Sequence, residues 1–89
     1  MRQVIGNPLI DTLVDGVLDR ADVAVSVLAN AWGGVNINLV GGATIRLSTS
    51  TYDTLFVGRL DRHGCQEYEI EFGSVVPVHV ICAAIWAMT

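Results

Sequence analysis

The sequence predicts an α+β fold, with an N-terminal amphipathic helix packed on a four- to five-stranded antiparallel sheet, as one domain over residues 1–89. Three observations carry that expectation. Apolar residues recur at helical spacing from Pro8 to about residue 30; from Val35 the period drops to two, with glycine-bearing turns between runs; and Val75 to Met88 form a long uncharged stretch. Laid out as a strand, that stretch points Val76, Val78, Val80, Cys82, Ala84, Trp86 and Met88 one way and Pro77, Ile81, Ala83, Ile85 and Ala87 the other. Both faces are apolar. A strand covered on both sides implies a second layer, so the fold is expected to be a sheet-mediated homo-oligomer, with Val78, Val80, Ile81, Ile85 and Trp86 at the contact.

The elements follow in order. Asn7-Pro8 reads as a helix start, because Asn caps free amides and Pro is tolerated at the first helical position. Asp11, Asp15, Asp19 and Asp22 then form one stripe, with Ile10, Leu13, Val14, Val17, Ala21, Ala24 and Leu28 opposite. The helix is expected to run to about Asn30, although Val23, Val25 and Val27 also alternate as a strand does. Gly16, inside the helix, marks an expected close approach to the sheet. Val35 to Leu39 and Thr44 to Ser48 make a hairpin, with a loop of Gly41 to Ala43 pairing Leu39 with Ile45, Ile37 with Leu47 and Asn38 with Arg46. A second hairpin joins residues 52–60 to residues 65–72 through Arg62-His63-Gly64. It is expected to set Asp61 against Cys65, Arg59 against Glu67, Gly58 against Tyr68 and Phe56 against Ile70.

Composition bounds the function. Of the 89 residues 52% are hydrophobic and 16% charged. A chain this small hides only about 60 to 65% of its unfolded surface, so the apolar surplus also points to a subunit contact. The net charge is −4 with no lysine. Such a surface repels phosphate backbones and argues against general nucleic-acid binding. Two cysteines are too few for a secreted disulfide scaffold, and the first residues lack the apolar run of a signal peptide, so the cytoplasm is expected. The C-terminal stretch is about six residues short of a membrane span.

The residues offer four candidate chemistries. His63, Cys65, His79 and Cys82 could make a zinc set, but they lack knuckle spacing and no metal or other cofactor is expected. Cys65 with His63 or His79 could form a thiol–imidazole pair; without an orienting third residue, a thiol enzyme ranks third. Arg46, Arg59 and Arg62, with Asn36, Asn38, Tyr52 and residues 48–51, could line a subunit-interface pocket for a small, nucleotide-like anion. Asp11, Asp15, Asp19 and Asp22 could meet a protein partner, though an acidic helix stripe is ordinarily a solvated face. The leading expectation is a non-enzymatic homo-oligomeric interaction protein, comparable by analogy to small phage accessory proteins that inhibit or sequester a partner.

Overall fold

A computed structural model describes residues 8–19, 24–30, 34–50 and 54–89. Their order is α1 (Pro8–Leu18), β1 (Ala24–Ala29), β2 (Val35–Leu39), β3 (Thr44–Thr49), β4 (Leu55–Leu60), β5 (Gln66–Phe72) and α2 (Val78–Met88). The strands form one antiparallel meander, β1-β2-β3-β4-β5, so each pairs with its neighbours in sequence. Two helices and a five-stranded antiparallel sheet make the fold α+β.

The strand membership corrects the sequence reading at both ends. Val78 to Met88 form a helix, not a strand. Ile81, Cys82, Ile85 and Met88 recur at i, i+1, i+4 and i+7, and all four are buried. Ile81 and Ile85, expected at a subunit contact, therefore sit in the chain's own core, and the strand that was to mediate assembly through the sheet is absent. Trp86 is half-buried, whereas Val78 and Val80 remain exposed. Pro77 begins the helix with φ −61° and ψ 144°, and its carbonyl accepts from Val80 and Ile81 N–H.

At the other end α1 stops at Leu18, and Ala24–Ala29 become β1. The β-branched Val25 and Val27 prefer the pleated backbone, and Val27 pairs opposite Ile37. The acidic stripe is shortened accordingly: Asp11 and Asp15 lie on α1, Asp19 follows its end, and Asp22 falls outside the described residues.

Ile10, Leu13, Val14 and Val17 of α1 are at most 2% exposed. They meet Val35, Ile37, Leu39, Ile45, Leu47, Leu55, Val57 and Phe72 from one face of the sheet, together with the buried side of α2. Gly16 approaches the second helix, not the sheet: a Cβ there would lie 3.0 Å from Cys82 Sγ. Each helix ends on a donor from elsewhere. Trp86 Nε1 donates to Gly16 O at 3.2 Å, and Arg59 Nε donates to Met88 O at 2.8 Å, although neither helix carries a basic residue in its last turn.

Both hairpins depart from the expected register. In the first, Ile37 faces Ile45 and Asn38 faces Thr44, so the loop is Val40 to Gly42, one residue earlier than expected. Gly41 and Gly42 both take φ 98°, which relieves Ala43 of the left-handed conformation it disfavours. In the second, Asp61 N–H donates to Cys65 O and Gly64 has φ 82°, but the register shifts between Arg59 and Leu60. Beyond the shift Arg59 faces Tyr68, Gly58 faces Glu69 and Val57 faces Ile70. Among the described residues, no helix is long and apolar enough to cross a membrane.

Candidate functional site

Strand alternation sends the other half of each pair to the sheet face that α1 and α2 leave uncovered. Asn36 lies opposite Arg46, Asn38 opposite Thr44, Arg46 opposite Gly58 and Gly58 opposite Glu69, which gives a continuous polar row across four strands. The row is bonded along itself. Asn38 Nδ2 donates to Ser26 Oγ at 2.8 Å, and Thr44 Oγ1 donates to Asn38 Oδ1 at 3.2 Å.

Arg46 is its centre. The guanidinium on β3 reaches across β4 to donate to Gln66 Oε1 on β5 at 2.6 Å, and lies 3.8 Å from Glu69 Oε2. Gly58 makes that span feasible, because a Cβ there would stand 3.3 Å from Gln66 Oε1 and 3.8 Å from the Arg46 Nη2. Asn30, Arg46, Ser48 and Glu69 line a shallow recess of about 250 Å³. Glu69 partly offsets the arginine charge. The Arg46 fork still has N–H donors without a protein partner among the described residues, and the Ser48 hydroxyl makes no hydrogen bond there.

Of the three arginines expected to converge, Arg46 stands apart on the uncovered face, whereas Arg59 and Arg62 share a recess. Arg59 faces the helix-covered side, where Met88 O and Glu67 Oε2 take its donors. Arg62 is at the tip of the β4–β5 hairpin, sharing an open recess of about 520 Å³ with Arg59, Asp61, His63 and Glu67. Tyr52 lies outside the described residues. Of the expected set, Arg46, Asn36 and Asn38 come together on the uncovered face. Thr49 goes to the opposite face, where it lines an apolar cleft of about 350 Å³ with Leu9, Leu55, Val78 and Ile81.

Cys65 is exposed at the hairpin tip, and its N–H donates to Asp61 Oδ1 at 3.0 Å, as does His63 N–H at 2.8 Å. The tip is an Asp-centred turn, and no hydrogen bond joins Cys65 Sγ to an imidazole among the described residues. Cys82 is buried against α1, and burial pushes its thiol up from the ordinary range. His79 and Cys82 are three apart on α2, the imidazole exposed and the thiol buried. Among the described residues, no three His, Cys, Asp or Glu side chains are grouped to hold a metal ion.

No family model, curated protein or solved structure matches the chain.

Sequence reasoning did not foresee Gln66, Glu69 and Gly58 as parts of the Arg46 site. The strand glycine was the available signal. The register shift near the hairpin tip turned its neighbour from Tyr68 into Glu69.

Proposed function

We propose that this chain is a non-enzymatic interaction protein that works as a homo-oligomer. The observation that carries the reading is α2, eleven residues without an acidic or basic side chain other than His79, on whose outer face Val80 stays 44% exposed beside His79 and the exposed Ala83 and Ala87. An outer helix face of small and β-branched residues around one imidazole suits close packing against the same helix of a second copy. The uncovered sheet face is a poor candidate for that contact, since the open donors of Arg46 and the Ser48 hydroxyl would be costly to dehydrate without partners. It is left to meet what the assembly inhibits or sequesters. An exposed free thiol at Cys65 fits a reducing compartment such as the cytoplasm.

Sedimentation velocity over a dilution series tests the assembly. A species of two or more chains is expected, reduced to one chain by Val80→Lys with the fold intact by circular dichroism; a single chain at every concentration removes the reading.

A second reading is favoured by one observation, the open donors of Arg46 beside the unbonded Ser48 hydroxyl. These groups suit a small anion, its carboxylate or phosphate supplying the acceptors. A thermal-shift panel of nucleotides and small carboxylates checks it. A positive shift lost in Arg46→Ala is the expected result, and a flat panel discards the site.

A further inference from the structure

We infer that the edge of β5 is a docking site for an extended segment of another protein in which apolar and basic residues alternate. The inference rests on the interaction-protein reading but not on self-association. β5 is the last strand of the sheet, paired only to β4 among the described residues, and every residue from Gln66 to Glu71 is exposed. That exposure includes the row that should be hidden. Tyr68 and Ile70 lie on the helix-covered side, opposite Arg59 and the buried Val57, yet are 43% and 36% exposed.

The reason is where α2 runs. Ile81 shares a cleft with Leu55 at the start of β4, and Met88 O meets Arg59 near its end, so the helix lies along β4 and stops short of the edge strand. Cys82 and Trp86 face α1; the helical repeat therefore turns Ala84 to the opposite, β5 flank and leaves Val80 and Ala87 on the outer face. A ledge results, floored by Ile70 and Tyr68, walled by an uncharged helix side, and bordered by an unpaired strand backbone. An added strand would complete the hydrogen-bond ladder and seat its apolar residues on the ledge.

Charge chooses the occupant. The outer row of β5 is Gln66, Glu69 and Glu71, since the bulge turns Glu67 to the covered side and Arg59; Glu69 lies near Arg46, and Glu71 has no ion pair among the described residues. If a second copy added its own antiparallel β5, the registers that set Ile70 against Tyr68 or against itself would put Glu69 opposite Glu69 or Glu71, which opposes pairing. The chain has no lysine and no segment with alternating arginines, so the complementary strand must come from elsewhere. Lys or Arg opposite the glutamates, with Val, Ile or Leu between them, matches both rows.

The test titrates the full chain with an acetylated, amidated hexapeptide alternating Lys and Val, read by amide chemical shifts and hydrogen exchange. Expected are shift changes confined to β5 and the α2 flank, slowed exchange of β5 amides, and binding at least about tenfold weaker for an alternating Glu/Val peptide. Ile70→Lys and Glu71→Lys, each checked for a native spectrum, should weaken the Lys/Val peptide, and N-methylation of alternate peptide amides should abolish binding. Equal binding of both peptides, shifts away from β5, or no binding would overturn the inference. Sedimentation of the same samples separates that failure from failure of self-association.

Discussion

The two faces of the sheet are built from the same strands and held by different forces. On the covered face Ile37, Ile45 and Leu47 are fully buried against the helices, and cohesion comes from close-packed apolar contact. One residue along each strand, Asn36, Asn38, Thr44 and Arg46 remain half-buried and are held by side-chain hydrogen bonds, Thr44 to Asn38 and the others to Asn30, Ser26 and Gln66, that water can replace. The covered face should therefore govern stability. The uncovered one is free to govern recognition.

The largest effect that would break this contrast lies in neighbouring residues of β2. Ile37→Ala should cost about 2 to 5 kcal/mol by urea unfolding, because removal leaves a cavity under α1, whereas Asn38→Ala should cost about 1 kcal/mol or less. Comparable losses at the two positions would mean that something covers the polar face too.

A smaller effect probes how the covering helices meet. Gly16→Ala gains about 1 kcal/mol of helix propensity but presses its methyl on Cys82 Sγ, so alone it should be near neutral or destabilising. In a Cys82→Ala background the obstacle is gone, and the same change should stabilise by about 1 kcal/mol. Absence of coupling in that thermal-melt cycle would contradict the helix contact.

The smallest concerns the thiols. Cys65 at the exposed tip should be alkylated by iodoacetamide much faster than Cys82 in the native state, and both equally once unfolded. Because burial raises the folded Cys82 pKa, the folded chain keeps a proton that the unfolded chain loses first as pH rises. The contribution is thus whole below the unfolded thiol pKa and fades as pH climbs through the folded one. Stability of the parent relative to Cys82→Ala should fall across that alkaline window and stay level below it.

The hairpins were the part of the fold most legible in the chain, because period-two alternation and positive-φ glycines are local signals. The β4–β5 tip formed around Gly64, and the Arg59–Glu67 ion pair is present even though a bulge moved Arg59 opposite Tyr68. The ends were harder to read. A run as uniformly apolar as Val78 to Met88 satisfies a period of two and of 3.6 alike; its length beyond an ordinary strand and Pro77 at its head were the better guides. Val25 and Val27 set strand preference against a stripe that stayed in helical phase, and pairing with β2 decided it. At the candidate site the identity of Arg46 was readable, but its partners were not, since a one-residue slip in β5 changes which side chains cross Gly58.

The meander has a kinetic corollary. Every strand pairing joins consecutive segments, so the sheet can zip up through short loop closures, whereas the Trp86 to Gly16 bond spans 70 positions and must close a far longer loop unless the sheet has already drawn the helices together. Docking of the second helix is then the closing step of folding, and indole emission from Trp86 should report it as a late phase after backbone signals have reached their native values.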